Sequence, residues 1–275
     1  MKKAVVISIF NQKGGCSKTT STMNIATALT YHSKELLGKD EVKVLIIDMD
    51  SQANSSYIAL GQNDDEIEEN KYITIEKIML DRSYTIHGAA IPSKFKNIDI
   101  VPATIDHAFT DMQCVAEVDS NRILYKRIHG ALSLYDYIII DNPPQIAITT
   151  YNSLMVSDYV IAPIEASVFS LKGLKNLVDL MNQINESRDA DNRLELISFL
   201  AKVDNRKKIK NLRTKRILER VLQDSFIKTE HISMSSTYID SFEDGETAIT
   251  WTKKHNGRKE YVALTKAIIK KMGVK

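Results

Sequence analysis

The stretch Asn11-Gln12-Lys13-Gly14-Gly15-Cys16-Ser17-Lys18-Thr19-Thr20 decides how the rest of the chain is read. Before it runs the apolar, β-favouring segment Ala4-Val5-Val6-Ile7-Ser8-Ile9-Phe10, and after it a helix-like pattern from Thr19 to about residue 36. Strand, glycine loop and helix in that order form an anion-binding arrangement. The glycines let the backbone approach a phosphate and turn N–H groups toward it. The helix adds the positive end of its dipole. In such a loop Gly14, Gly15, Cys16, Ser17, Lys18, Thr19 and Thr20 surround the phosphates. Lys18 reaches the β- and γ-phosphate oxygens, and the Thr19 hydroxyl is a ligand for Mg2+.

Two further strands end in carboxylates. Lys43-Val44-Leu45-Ile46-Ile47 closes on Asp48-Met49-Asp50, and Tyr137-Ile138-Ile139-Ile140 closes on Asp141-Asn142-Pro143-Pro144. Unbroken apolar runs are typical of parallel strands buried on both faces. Carboxylates at their C-terminal ends stand where α/β sheets bind ligands. Asp141 fits a carboxylate that holds Mg2+, directly or through water.

The spacing departs from the common phosphate-loop pattern, because Gln12 and Ser17 stand at its two glycine positions. What fits is K-G-G-x-x-K-[ST], with Lys13 as a second lysine. On this motif the chain resembles the ParA/MinD family of deviant Walker A ATPases, and within it the ParA (Soj) partition proteins. Asp141-Asn142-Pro143-Pro144 resembles that family's D-x-P-P, and Asp48-Met49-Asp50 its D-x-D-P-Q. Weaker matches at Val101–Asp106, Ala162–Ala166, Leu171–Leu174 and Ala201–Arg206 extend the likeness from residue 4 to about 250.

The resemblance implies ATP and Mg2+ as cofactors, with Asp50 positioning the attacking water and Asp48 close to the metal shell. It implies that Lys13 reaches the partner's nucleotide across an ATP-dependent homodimer. It also implies non-specific binding of double-stranded DNA, a ParB-like centromere-binding partner that stimulates hydrolysis, and a cytoplasmic, nucleoid-associated protein. Three departures bear on these expectations. If the backbone at Ser17 is left-handed, a non-glycine there costs about 1–2 kcal/mol. Ser51 replaces the usual proline, and Ile232-Ser233-Met234 replaces an I-P-R segment, leaving the base contacts there open.

Across 275 residues, strands are expected at 4–10, 43–47, 98–102, 137–140, 159–163 and 194–203. Helices are expected at about 19–36, 73–80, 105–117, 121–133, 145–157, 171–184, 211–222 and 260–272, with a polar surface loop at 61–71. The alternation predicts an α/β fold, a mostly parallel, doubly wound sheet with helices on both faces, as one domain. No apolar run reaches the roughly 20 residues that span a bilayer. Cys16 and Cys114 suggest no disulfide framework, which fits a reducing cytoplasm. A strand starting at residue 4 leaves no N-terminal helix-turn-helix to expect.

Net charge is near +2, but the basic side chains cluster. Lys202 to Arg216 holds eight Lys/Arg against one Asp, and 253–275 holds eight against Glu260. Arg206, Lys207, Lys208, Lys210, Arg213 and Arg216 are the candidate DNA contacts, giving sequence-independent, salt-sensitive binding. A MinD-like membrane mode would need a free amphipathic C-terminal helix. Val262, Ala263, Lys266, Ala267, Ile269 and Lys270 give a mixed stripe without an aromatic anchor, so packing against the sheet is expected instead. A third alternative is a nucleotide-dependent adaptor that does not hydrolyse, if Ser17 and Ser51 have spoiled turnover.

Overall fold

The computed structural model describes residues 3–166 and 168–273. The side chains of Leu171 and Lys172, and Lys275 of the C-terminal basic run, lie outside the described residues. Eight strands form one sheet: β1 (Val5–Ile9), β2 (Val44–Asp48), β3 (Ile91–Pro92), β4 (Ile98–Val101), β5 (Tyr137–Asp141), β6 (Tyr159–Glu165), β7 (Glu195–Val203) and β8 (Phe226–Ser233). Their order is β3-β4-β2-β5-β1-β6-β7-β8. Every pairing is parallel except the short edge contact of β3 with β4. Pro92 has no N–H to donate, and an edge strand tolerates that.

The apolar runs explain the layers. Successive side chains of a strand point to opposite faces. Ile7, Ile46 and Ile139 join one core, while Val6, Leu45, Ile47, Ile138 and Ile140 join the other. The first core is closed by the helices Lys18–Tyr31 and Gly257–Met272, the second by Ile75–Leu80 and Ile123–Ile128. The Lys18–Tyr31 helix is buried nearly all round. Thr27 and Asn24 find partners inside: Thr27 Oγ1 donates to Met23 O at 2.8 Å, and Asn24 Oδ1 accepts from Ala248 N at 2.9 Å.

Several expected elements are corrected. The helix expected over 19–36 ends at Tyr31, breaks at His32 and resumes as Ser33–Leu37. The expected loop 61–71 contains a helix, Asp64–Glu69, started by a reciprocal capping box between Asn63 and Glu66. Its N-x-x-E spacing was a legible signal. Segments 105–117 and 121–133 are each split into short 3-10 and α pieces. Strand β8 and the helices Asn54–Leu60, Ile86–Ala89 and Thr237–Glu243 were not foreseen. β8 is an edge strand with a mixed, half-exposed pattern, so it lacks an apolar run.

The C-terminal helix packs as expected. Tyr261, Leu264, Ile268, Ile269 and Met272 are buried, and Tyr159 Oη donates to Met272 O at 3.0 Å. No helix among the described residues is long and apolar enough to cross a membrane.

Candidate nucleotide site

The loop after β1 carries two left-handed residues, Gly15 at φ 68° and Ser17 at φ 76°. The backbone strain anticipated at Ser17 is therefore present. Ser17 is the residue before the Lys18–Tyr31 helix and makes no side-chain cap. The first N–H groups of that helix are thus left for an anion. Asn11 braces the loop from behind: its Nδ2 donates to Pro163 O at 2.7 Å, and its Oδ1 accepts from Lys13 N at 3.0 Å.

In front of the loop lies a cleft of about 800 Å³. Gly14, Gly15, Ser17, Lys18, Thr19, Thr20 and Asp50 all line it. Ser51, Gln52, Asn54, Ser233–Ser236, Tyr238 and Ile239 line it as well. Cys16 is fully buried instead, and burial pushes its thiol upward, so it contributes backbone alone. Asp50 Oδ1 accepts from Gln52 N at 3.0 Å, which holds the turn that would otherwise use a proline.

Beneath the cleft the two strand-end carboxylates are neighbours. Asp48 and Asp141 pair across β2 and β5, and both are buried. Burial raises both carboxyls, and for Asp48 the Asp141 charge adds to it. They differ in what surrounds them. Asp48 Oδ2 accepts from the backbone N and Oγ of Ser56, both at 2.8 Å, and Oδ1 accepts from Asp50 N at 3.1 Å. Asp48 thus ties down the start of the Asn54–Leu60 helix and the Asp50 turn. Its place close to the metal shell stays what the resemblance implies, since a carboxylate oxygen that accepts a hydrogen bond keeps a further lone pair.

Asp141 Oδ2 accepts from Ser55 Oγ at 2.7 Å, while Oδ1 is buried without a hydrogen-bond partner. The Thr19 hydroxyl and the Lys18 charge lie close enough to offset part of its upward shift. An orphaned carboxylate oxygen beside a threonine hydroxyl fits a hard cation such as Mg2+, which keeps most of its waters. Thr19 and Asp141 are the residues that would hold it.

Lys13 stands apart from the cleft lining. Its ammonium is paired with Glu165 of the same chain, at the end of β6. Of the candidate DNA residues, all six are exposed. Arg206, however, clamps Asp204 through Nε and Nη2 at 2.9 and 3.0 Å, and Lys207 sits 3.6 Å from the same carboxylate. The structure leaves Lys208, Lys210, Arg213 and Arg216 on the outer side of the Lys208–Leu222 helix. Sequence reasoning missed Ser55 and Ser56. The only available signal was two hydroxyls shortly after a strand-end Asp.

The AAA domain family matches residues 4–196, which span the loop and both strand-end carboxylates. The chain belongs to this ParA/MinD-like family. Soj of Bacillus subtilis strain 168, a sporulation initiation inhibitor protein, is 27% identical over 96% of this chain and 97% of its own length. Two solved structures share the fold. A plasmid partition protein from Borrelia burgdorferi B31, bound to AMPPNP, superposes with a TM-score of 0.74 at 23% identity, covering 98% of this ParA-like chain and all of its own. Cobyrinic acid a,c-diamide synthase from Mycobacterium smegmatis, with a bound ATP analogue and magnesium, gives 0.77 at 18% identity over 98% and 96%. A partition protein and a biosynthetic enzyme thus share one frame, so the fold alone does not choose the function.

Proposed function

We propose that this chain is a ParA-type ATPase that couples ATP hydrolysis to reversible DNA binding in partition. One observation supports it above the others: the loop, Lys18, Thr19 and Asp50 line one cleft, and buried Asp141 neighbours Thr19, Lys18 and Asp50. The loop N–H groups and Lys18 hold the β- and γ-phosphates. Thr19 and Asp141 would hold Mg2+, which would supply neutralisation of the phosphate charge. Asp50, on the cleft wall, accepts a hydrogen bond from a water in line with the γ-phosphorus. The water oxygen bonds to phosphorus, the bridge to the β-phosphate breaks, and ADP and phosphate leave.

Two subunits meet face to face across the nucleotides, with Lys13 leaving Glu165 to reach the partner's phosphates. The dimer presents Lys208, Lys210, Arg213 and Arg216 to the phosphates of double-stranded DNA on the nucleoid, and a ParB-like protein speeds release. The packed C-terminal helix favours DNA over lipid as the surface gripped. Hydrolysis that disappears in Asp50→Ala would exclude the adaptor reading.

The test is light scattering with ATP, ADP and no nucleotide, with and without plain duplex DNA, at two salt concentrations, beside phosphate release. Dimerisation specific to ATP, salt-sensitive DNA binding and turnover absent in Lys18→Ala are expected. Turnover unchanged in Lys18→Ala would sink the reading.

A further inference from the structure

The segment that follows β4 carries apolar side chains on its solvent side. The 3-10 turn Ile105–Phe109 runs directly into the helix Thr110–Cys114. Its inner face is anchored: His107, Thr110 and Cys114 are buried, and Asp111 Oδ1 accepts from Thr149 N at 2.8 Å. Its outer face presents Ile105, Phe109, Met112, Val115 and Val118 to solvent. Phe109 is 61% exposed, Met112 78% and Val118 81%. A single exposed apolar residue needs no explanation, but a stripe of them along one anchored run marks an interaction surface.

The stripe has an acidic rim. Ile105 N donates to Asp64 Oδ2 at 3.0 Å, which brings the Asp64–Glu69 helix alongside. Asp65, Glu68, Glu69 and Asp106 are exposed there, and neither 61–70 nor 103–119 contains a Lys or Arg. Arg82 and Lys126 pair with Glu117 and Asp119 at the far end of the run. The uncompensated charge therefore gathers at the Ile105 end. An apolar stripe beside clustered carboxylates fits a helix of the complementary kind, with apolar residues flanked by cations.

This chain carries such a helix. On Lys208–Leu222, Ile209 is 87% exposed and Leu212 is exposed one turn later. Residues three and four apart share a helix face, so Ile209 lies with Leu212, Arg213 and Arg216. Lys208 and Lys210 are exposed beside them. Phosphate contacts account for these cations, but not for an isoleucine held out in water. Two stripes set face to face would bring Asp106 and its neighbours against like charges, which is costly.

We propose that the Ile105–Val118 stripe docks the Lys208–Leu222 helix of a second copy of this chain. The contact goes beyond the nucleotide reading and needs no nucleotide. Ile209 and Leu212 cover the apolar stripe, and the flanking cations meet the acidic rim. Each copy offers both halves of the contact. The docked helix is the one proposed to grip duplex DNA, so the two occupants exclude each other.

The test is sedimentation of the full chain without nucleotide, over a range of protein concentrations, at low and high salt. The parent should associate at low salt and come apart at high salt, because exposed charges are screened. Met112→Ser and Ile209→Ser should each weaken association about 10-fold and leave the melting temperature unchanged. Charge reversal gives a sharper reading. Glu68→Lys with Glu69→Lys, and separately Arg213→Glu with Arg216→Glu, should each abolish association. Mixing the two reversed chains should restore it, since each then offers the other a matched pair of surfaces. A mixture that stays monomeric would overturn the proposal. Association lost in Met112→Ser but kept in Ile209→Ser would mean that stripe meets stripe, and would overturn it too. A parent that is monomeric at every concentration would also overturn it, leaving the stripe to a basic helix of another protein.

Discussion

Asp48 and Asp141 are register partners on adjacent parallel strands, and only Asp141 keeps a carboxylate oxygen without a hydrogen bond. Two like charges side by side in a buried site oppose each other's ionisation. Hydrogen bonds from Ser56 and Asp50 engage both oxygens of Asp48. Asp141 is left as the carboxylate that a cation would relieve.

Replacing Asp141 by Asn should therefore have opposite effects with and without ligand. The folded state holds these carboxyl protons more tightly than the unfolded state, because both groups are shifted upward. Stability without ligand falls as pH rises above the ordinary carboxylate range, since the native state then binds more protons. Asp141→Asn should flatten that fall in urea melts and melt higher than the parent at pH 8 without Mg2+. The gain from Mg2+ and ATP, about 2.7 kcal/mol at a hundredfold excess over Kd, should be lost. A variant still stabilised by Mg2+ and ATP like the parent would remove Asp141 from the metal site.

His107 supplies a pH dependence of the other sign. It is buried, neither ring nitrogen has a hydrogen-bond partner, and burial holds its pKa down at about 4. The unfolded chain takes up that proton near pH 6.5. The stability it protects is complete above that value and is lost as pH falls toward 4. Comparing urea unfolding of the parent and His107→Leu from pH 7 to 4 should show the parent losing up to about 3 kcal/mol relative to the variant. A constant difference would contradict a neutral buried imidazole.

The Lys13–Glu165 pair should act as a hold on the dimer. Each partner is about one third exposed, at 31% and 35%. The pair itself is then worth about 1 kcal/mol or less. Glu165→Gln should change the melting temperature little while lowering the ATP concentration needed for dimerisation in light scattering. No shift in that midpoint would mean that Lys13 needs no release.

The basic helix should show itself in salt dependence. Each phosphate contact removed lowers the slope of log K against log salt by about 0.9. Lys210→Ala and Arg213→Ala should each take off about that much. Arg206→Ala should take off less, because its guanidinium is committed to Asp204. Equal effects at all three positions would show that the Asp204 clamp opens on DNA.

Backbone strain at Ser17 gives a last check. Ser17→Gly should stabilise the folded protein by roughly 0.5–1 kcal/mol, the relief of the left-handed residue less the extra entropy of glycine in the unfolded chain. Chemical denaturation reads this directly. A loss of stability would mean that the serine side chain contributes something its geometry does not reveal.

Much of the fold was legible along the chain because its signals are local. An apolar run such as Ile138–Ile140 declares a buried strand, and Lys13–Thr20 between a strand and a helix declares an anion loop. β8 and the Thr237–Glu243 helix escaped, since an edge strand with one wet face and a seven-residue helix leave weak patterns.

The chain order of residues alone was enough to place a phosphate loop, a strand-end carboxylate and a parallel α/β sheet. Those depend on backbone periodicity and on residue types a few positions apart. Folding settled which carboxylate is left with an unsatisfied oxygen and where Lys13 rests. These relations join residues 86 and 152 positions apart. Such pairings follow from how the whole sheet packs, and no short window of sequence contains them.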